Sequence, residues 1–159
     1  MNSSGNKLGI LLDTTYILPI VGIRVKGIEE TLEVLRDLRA GNLVELYYTP
    51  FNVLETLGIL ARRGYREDVV STGLLLVNEW FKLVHPTIEG YLKVLRLRSA
   101  GFRDLVDLLL YATALTNNLL FLTRDKELIE FLKRMGEDLG SIIYEEEFLD
   151  KYRDLLESR

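Results

Sequence analysis

The stretch Leu8-Gly9-Ile10-Leu11-Leu12-Asp13 decides the fold, because it is a short apolar run that ends in an acid. A continuous apolar run of this length is typical of a strand buried on both faces, as in a parallel sheet covered by helices. The later run Leu119-Leu120-Phe121-Leu122 has the same character, and Asp125 follows it closely. Longer amphipathic segments separate such runs along the chain. This alternation predicts an α/β fold with a largely parallel central sheet.

Helical spacing of apolar residues and the positions of turn residues divide the rest of the chain. Thr49-Pro50 is predicted to open a helix, and Gly41 and Gly136 are predicted to end helices. The predicted strands are residues 8–13, 45–48, 82–84, 119–123 and 141–144. The predicted helices are residues 28–40, 50–63, 65–81, 88–100, 104–116, 125–135 and 145–156. No linker or internal repeat interrupts them, so residues 1–159 are predicted to form a single domain.

The composition describes an ordinary globular protein and excludes several kinds of site. Of the 159 residues, 48% are hydrophobic and 28% are charged, which is typical of folded soluble domains. The absence of cysteine excludes disulfides, thiolate nucleophiles and cysteine zinc sites. His85 is the single histidine, so no site can use two imidazoles. Because Pro86 follows it and breaks a strand, His85 is expected to be structural.

The charge balance argues against a surface built to bind long polyanions. The chain has 20 basic and 24 acidic residues, for a formal net charge of −4. If four of the acids hold a metal ion, the remaining charges balance at 20 against 20. Binding of long DNA through charge alone is therefore not expected. Recognition of phosphate at one local, metal-assisted site is compatible with this balance.

The sequence also carries expectations about the location and source of the protein. The apolar run near the N-terminus is short and ends in an aspartate, so neither a signal peptide nor a membrane span is expected. A cytoplasmic location follows. The absence of glutamine, with abundant Arg and Glu, is typical of a thermophilic source.

Four carboxylates lie where an alternating strand–helix fold would bring them together, namely Asp13, Glu55, Asp107 and Asp125. Ligands of such folds gather at the carboxyl ends of the strands, where the next helix begins. Two carboxylates about 4 Å apart repel each other by roughly 4 kcal/mol at an effective dielectric constant of 20. A hard divalent cation removes this cost, and carboxylate ligands favour Mg²⁺ or Mn²⁺. The pattern therefore predicts a metal-dependent hydrolase that acts on phosphate esters.

Helix capping competes with metal binding as an explanation of these acids. Asp13 and Asp125 each suit a turn or an N-cap. Asp104 also suits an N-cap, with Asp107 three residues later at the reciprocal position of a capping box. Capping explains Asp104 completely. Asp107, however, opens a helix that is apolar nearly all round, where a buried charge needs a partner. Asp107 is therefore preferred to Asp104 as a metal ligand.

The helix that carries Glu55 ends in Arg62-Arg63. A solvated glutamate in the first turn, favoured by the helix dipole, is the structural alternative for Glu55. Three leucines are predicted to lie on or near the apolar face of this helix, namely Leu54, Leu57 and Leu60. Arg62 and Arg63 are predicted to contact substrate phosphates, although a solvated helix end explains them as well.

Three residues beside the strand-end acids are predicted to handle the substrate. The hydroxyl of Thr15 lies close to Asp13 in sequence and can orient a ligand water. Thr123 and Arg124 precede Asp125 at the end of a predicted strand, where they suit a phosphate-binding edge. Together with Arg62 and Arg63, these are the predicted substrate-binding residues.

Four stretches, taken in order, resemble the PIN domain, the nuclease module of VapC-type toxins and of several RNA-processing factors. They are Leu11-Leu12-Asp13-Thr14-Thr15, Thr49-Pro50-Phe51-Asn52-Val53-Leu54-Glu55, Asp107-Leu108-Leu109-Leu110-Tyr111-Ala112-Thr113-Ala114 and Leu120-Phe121-Leu122-Thr123-Arg124-Asp125. The resemblance extends from residue 8 to about residue 131. Its more specific part is the Ala-Thr-Ala helix that leads into a Thr-x-Asp strand end.

The resemblance implies a Rossmann-like α/β/α sandwich and a ribonuclease that cleaves single-stranded RNA with Mg²⁺ or Mn²⁺. It implies that Asp13, Asp107 and Asp125 bind the metal and that Glu55 completes the catalytic acids. VapC-type toxins are usually held inactive by a small antitoxin, so an antitoxin protein is an expected partner of a toxin–antitoxin pair. The chain itself does not identify one.

Two further expectations concern the oligomeric state and the catalytic activity of the protein. Trp80, Phe81 and eight tyrosines exceed what a lone domain needs, so a symmetric homodimer is expected. The alternative to an active nuclease is a PIN-like RNA-binding or scaffold protein that is catalytically weak or inactive, since acids that only cap helices would give the same sequence. Stabilisation by Mn²⁺ would distinguish the two.

Overall fold

The computed structural model describes residues 5–158, which contain a five-stranded sheet whose neighbouring strands all run parallel. The strands are β1 (Leu8–Leu12), β2 (Val44–Tyr48), β3 (Lys82–Leu83), β4 (Leu120–Thr123) and β5 (Ile142–Tyr144). Their order across the sheet is β3-β2-β1-β4-β5. The chain therefore builds outward from β1 to β3 and then crosses to β4, which places the switch point of the sheet between β1 and β4. The predicted α/β fold is confirmed.

Seven α-helices connect and cover the strands within the described part of the chain. They are α1 (Glu29–Ala40), α2 (Pro50–Arg63), α3 (Glu67–Trp80), α4 (Ile88–Ser99), α5 (Leu105–Thr116), α6 (Lys126–Arg134) and α7 (Glu145–Glu157). All predicted helices and strands are present, with ends shifted by no more than two residues. Two short 3₁₀ helices that follow β1, Thr14–Tyr16 and Leu18–Val21, were not predicted. None of these helices is long and apolar enough to cross a membrane in residues 5–158.

β1 is buried on both faces, as its apolar run predicts. Ile10 and Leu12 belong to one apolar cluster together with Phe148 of α7. Leu11 belongs to a second cluster together with Leu110 of α5. Because successive side chains of a strand point to opposite faces, the two clusters lie on opposite sides of the sheet. Each of these three β1 side chains is at most 1% exposed.

Local turn chemistry determines most helix ends. The Thr49 hydroxyl accepts a hydrogen bond from the Asn52 backbone N–H at 3.3 Å, so the predicted cap of α2 is confirmed. Gly136 follows α6 with a φ of +71°, a conformation that glycine adopts without strain. The prediction for Gly41 is only partly right, because Gly41 has a φ of −75° and Asn42 is the left-handed residue, with a φ of +60°.

The predicted apolar face of α2 is wrong in part. Leu60 is buried as expected, but Leu54 and Leu57 are 63% and 48% exposed. The face that packs inward carries Asn52 and Thr56, both fully buried. Hydrogen bonds of Asn52, together with the apolar packing of Phe51 and Val53, join the start of α2 to the end of β1.

Several large apolar side chains remain exposed. Four of them follow one face of α4 at helical spacing, namely Ile88, Tyr91, Leu92 and Leu95. Trp80 is partly exposed at the end of α3, with the Arg39 guanidinium 6.0 Å from its ring centre, whereas Phe81 is buried in the core. His85 is exposed, and its carbonyl accepts a hydrogen bond from the Asn117 side chain.

Candidate active site

The ends of β1 and β4 bring Asp13 and Asp125 to the same edge of the sheet. β1 and β4 are adjacent and parallel, with Leu12 paired to Leu122, so the residues that follow both strands emerge side by side. The hydroxyl of Thr123, the last residue of β4, lies 3.3 Å from Asp13 Oδ2 as a hydrogen-bond donor. The same hydroxyl oxygen accepts a hydrogen bond from the Asp125 backbone N–H at 3.0 Å. Thr123 therefore links the two strand-end acids.

Glu55 and Asp107 reach this edge from helices α2 and α5. Glu55 contributes to the electrostatic field at Asp13, and Asp107 lies in the field of both Asp13 and Asp125. The four predicted acids thus meet in one place, and they are called the acid cluster below: Asp13, Glu55, Asp107 and Asp125.

Burial and mutual repulsion make the acid cluster hard to ionise. Asp13 is only 9% exposed. Burial, followed by the charges of Glu55 and Asp125, raises its pKa to about 7, against the opposing effect of hydrogen bonds from the Thr14 backbone and Thr123. A carboxylate at such a place is costly at neutral pH unless a cation lies beside it.

Asp107 and Glu55 are perturbed in the same direction. Burial raises the pKa of Asp107, and the neighbouring Asp125 carboxyl and repulsion from Asp13 and Asp104 raise it further. Burial also raises the pKa of Glu55, with Asp104 acting in the same direction. In both groups the charged form is therefore less favourable than it is in water, and a cation beside it would offset this cost.

Asp104 caps a helix and Asp107 belongs to the acid cluster, whereas Asp125 does both. Asp104 is exposed at the N-terminus of α5, where its Oδ1 accepts a hydrogen bond from the Asp107 backbone N–H at 3.1 Å. Asp104 is thus the predicted cap at the rim of the cluster. Asp125 caps α6 by accepting a hydrogen bond from the Leu128 backbone N–H at 3.1 Å. One Asp125 oxygen is engaged in this cap while the carboxyl group also contacts Asp107.

Asn52 is a buried residue of the site that the sequence did not single out. Its amide nitrogen donates to the Leu12 carbonyl and to the Thr14 hydroxyl, both at 3.1 Å. Its amide oxygen accepts from the Thr49 backbone N–H at 2.8 Å. These bonds fix the helix that carries Glu55 against the strand that carries Asp13. The signal in the sequence was a polar residue at the third position of a helix that begins with Thr-Pro.

A second buried group, Tyr16 with Glu145, was also missed. The Tyr16 hydroxyl donates to Glu145 Oε2 at 2.6 Å, and Arg124 Nε lies 3.3 Å from Glu145 Oε1. Arg124 Nη1 also donates to the Lys26 carbonyl at 3.1 Å. The available signal was the position of Glu145 directly after a strand, which is the same pattern that identified Asp13.

The predicted substrate-binding residues differ in their positions. Thr15 is half-buried in the first 3₁₀ helix, next to Asp13. Arg62 and Arg63 are exposed in the last turn of α2, and the charge of Arg62 acts on Glu55, so Arg62 lies on the cluster side of the helix. Thr123 is fully buried and contacts the acids. Arg124 is engaged with Glu145 and Lys26.

A groove of about 520 Å³ opens from the acid cluster between the α4–α5 connection and α6. Asp107 and Asp125 of the acid cluster line it, together with Arg103 and Arg134 and three further acids, Asp104, Glu127 and Glu130. The aromatic rings of Phe102 and Phe131, which also line it, are tilted against each other with centres 5.1 Å apart. Its volume is in the range of pockets that bind small ligands.

The ligand atoms that the acid cluster offers are of the kind that a hard divalent cation prefers. They are carboxylate oxygens with a threonine hydroxyl beside them, which Mg²⁺ and Mn²⁺ prefer to nitrogen or sulfur ligands. None of the ion pairs found in residues 5–158 involves a member of the cluster, and the charge of Arg62 acts on Glu55 only from beyond ion-pair distance. The same residues contain no group of three or more acids or histidines already arranged to hold an ion.

Comparison with known structures shows the same fold in proteins of low sequence identity. The VapBC2 structure from Rickettsia felis, bound to a DNA fragment from its promoter, matches with a TM-score of 0.59 and 13% identity, over 86% of this chain and 97% of that chain. VapBC-1 from nontypeable Haemophilus influenzae matches with a TM-score of 0.58 and 17% identity, over 80% and 94%. FitAB bound to the IR36 DNA fragment matches with a TM-score of 0.56 and 17% identity, over 86% and 94%.

Sequence comparison gives a family but no close relative. No curated protein matches the chain. The family model of the PIN domain matches residues 10–134, a span that begins in β1, ends with α6 and contains every member of the acid cluster. The parallel sheet with β1 at its centre, the acids at the carboxyl edge and this match agree with one another, and the chain belongs to the PIN-domain family.

Proposed function

We propose that the protein is a Mg²⁺- or Mn²⁺-dependent endoribonuclease that cleaves single-stranded RNA at the acid cluster. One observation carries this proposal: four carboxylates that form no ion pair in residues 5–158 meet at the switch point of the sheet. PIN domains of the VapC type are nucleases, and nucleases of this family generally use divalent metals. The family membership of the chain supports a hydrolase of this class.

Each member of the acid cluster has a proposed role. Asp13, Asp107 and Asp125 hold the metal, because they are the aspartates of the cluster that act on one another electrostatically. Glu55 completes the site and accepts a proton from the attacking water. When bound, the metal lowers the pKa of a water and offsets charge on the phosphoryl oxygens. No side chain needs to act as a nucleophile.

The surroundings of the acid cluster fit a strand of RNA. Arg62 and Arg63 lie on one side, on the helix that carries Glu55. The groove with Arg103 and Arg134 lies on the other side, and its aromatic residue Phe102 offers a surface against which a base can pack. We propose that the RNA crosses the site from α2 to this groove. Thr15 and Arg124 complete the proposed substrate contacts, whereas Thr123 is fully buried and supports the site through its hydrogen bonds with Asp13 and Asp125.

A small protein antitoxin is the proposed partner. VapBC-5 from Mycobacterium tuberculosis, whose structure is similar with a TM-score of 0.50 and 18% identity, is described as a member of the VapBC family of toxin–antitoxin systems. In this chain, the helices that carry Glu55 and Asp107 also expose large apolar side chains, Leu54 and Leu57 on α2 and Leu105 on α5. An antitoxin segment that covers these leucines would close the site to RNA.

The competing function is a PIN-like RNA-binding or scaffold protein with little or no catalysis. It is favoured by the capping hydrogen bonds of Asp104 and Asp125, which explain these two acids without a metal. Thermal unfolding with increasing Mn²⁺ separates the two functions. An ion at 100 times its Kd would stabilise the nuclease by about 2.7 kcal/mol, whereas a site that only caps helices would not respond. An Asp13→Asn variant serves as the control and should lose the response.

A further inference from the structure

Glu145 is a buried acid that the acid cluster does not include. It begins α7 directly after β5 and is 8% exposed. One of its carboxylate oxygens accepts the hydrogen bond from Tyr16, which is 1% exposed, and the other pairs with Arg124. Both oxygens are thus occupied, one by a buried phenol and one by a cation.

Arg124 lies between two residues of the proposed site. Thr123 before it contacts Asp13, and Asp125 after it belongs to the acid cluster. Its guanidinium nevertheless binds outside the cluster, at Glu145 and at the Lys26 carbonyl. The chain bends closely past the guanidinium at Gly27, whose φ is +82° and where a Cβ atom would lie 3.5 Å from Arg124 Nη2.

An arginine at this position can compete with a metal ion for the carboxylates of the acid cluster. The acid cluster attracts any cation within reach, and a guanidinium binds carboxylates through two parallel hydrogen bonds. If Arg124 turned to the cluster, it would occupy the oxygens that a divalent ion needs. The contacts with Glu145 and Lys26 satisfy the guanidinium elsewhere and remove this competition.

We propose that Glu145 is a positioning residue that holds Arg124 outside the acid cluster and thereby keeps the cluster open to a divalent cation. The proposal rests on the metal site proposed above. Tyr16 orients Glu145, because its hydroxyl holds one carboxylate oxygen and leaves the other facing Arg124. In this arrangement Arg124 stays beside the substrate path without neutralising the acids.

The test is the affinity of the full chain for Mn²⁺, measured by isothermal titration calorimetry. Glu145→Gln keeps the size of the side chain and removes its charge, which releases Arg124 toward the acids. We expect Mn²⁺ to bind roughly five-fold more weakly to this variant. A double variant with Arg124→Gln should regain wild-type affinity, because the competing cation is gone. Glu146→Gln, at the exposed neighbouring position in the same helical turn, is the matched control and should bind Mn²⁺ as the wild type does.

Three outcomes would overturn the proposal, and they differ in what they reject. Wild-type affinity in Glu145→Gln would reject the role of Glu145 while leaving the metal site intact. A double variant as weak as Glu145→Gln would show that Glu145 acts through the fold and not through Arg124. A wild-type protein that binds no Mn²⁺ would reject the metal site and this role together. If Glu145→Gln fails to fold, Tyr16→Phe provides the second test, with a smaller loss of affinity expected and an unchanged affinity counting against the proposal.

Discussion

Asp104 and Asp107 are three residues apart on the same helix, yet their surroundings give them different tasks. Asp104 is exposed and accepts a single capping hydrogen bond. Asp107 is half-buried, and burial and neighbouring acids both oppose its ionisation. Asp13 is in a similar situation at the end of β1. Unpaired, buried acids of this kind lower the stability of the folded protein. Their replacement by a neutral residue is therefore expected to leave that stability unchanged or to raise it.

Replacement of Asp107 should separate stability from activity. Asp107→Asn removes repulsion in the metal-free protein, so thermal unfolding in EDTA should occur at the same or a higher temperature. Cleavage of single-stranded RNA in Mn²⁺ should fall by more than about 100-fold. Mutation of residues that only contact a metal ligand can already reduce activity about 100-fold, and Asp107 is itself a proposed ligand. Asp104→Asn is the matched control and should change neither property, because asparagine caps a helix as well as aspartate. The assignment is wrong if Asp104→Asn abolishes cleavage and Asp107→Asn does not.

Asp13 should make the stability of the metal-free protein depend on pH. Its pKa is about 7 in the folded protein and about 3.9 in an unfolded chain. A raised pKa in the folded state means that the contribution of Asp13 is fully present below about pH 3.9 and is lost as the pH rises through about 7. Asp13→Asn should therefore gain stability over the wild type in EDTA, and the gain should grow between about pH 4 and about pH 7 and stay constant above that. A gain that shrinks with rising pH would contradict the assignment, and Asp150→Asn at an exposed site is the control.

At the scale of helices and strands, local patterns in the sequence predict more than non-local contacts do. The ends of α2 and α6 were predicted closely because a Thr-Pro pair and a glycine act within one turn. The rule that acids follow parallel strands predicted the acid cluster. The 3₁₀ helices after Asp13 and the network of Asn52 were not predicted, because Asn52 bonds to residues 38 and 40 positions away. Glu145 was missed for the same reason, since Tyr16 is 129 positions away.

The hydrogen bonds of Asn52 are expected to contribute strongly to the stability of the protein around the site. Asn52→Ala leaves the Leu12 carbonyl and the Thr49 backbone N–H without their partners in a buried place. We expect a loss of about 2–4 kcal/mol in the free energy of unfolding, measured by urea denaturation. Ser71→Ala on the exposed side of α3 should cost less than about 0.5 kcal/mol. Equal losses in both variants would show that the network does not stabilise the fold.

At the scale of the whole molecule, α4 presents an exposed apolar face to which no other element of the described chain is packed. Ile88 is 81% exposed and Leu95 is 62% exposed on this face, and a large exposed apolar patch marks an interaction surface. We propose that two copies pack through α4 about a two-fold axis, which would cover the same patch on both subunits. Such a dimer would carry two acid clusters, one on each subunit.

Light scattering at micromolar concentration checks this assembly. The wild type should have twice the 18.3 kDa mass of the chain, and Leu92→Lys with Leu95→Lys should reduce it to one chain mass. Leu75→Lys is the control, since Leu75 is 68% exposed on α3, away from this face. A wild type that is monomeric, or a double variant that stays dimeric, would contradict an interface at α4.

Cleavage of single-stranded RNA by the purified protein tests the central claim most directly. A labelled unstructured RNA is incubated with the wild type and with Asp13→Asn, each in Mn²⁺ and in EDTA, beside a duplex of the same sequence. We predict internal cleavage of the single strand by the wild type in Mn²⁺ alone, and no cleavage by Asp13→Asn or in EDTA. Cleavage that persists in EDTA or in Asp13→Asn, or an intact RNA under a saturating concentration of Mn²⁺, would contradict an acid cluster that works as a metal-dependent ribonuclease.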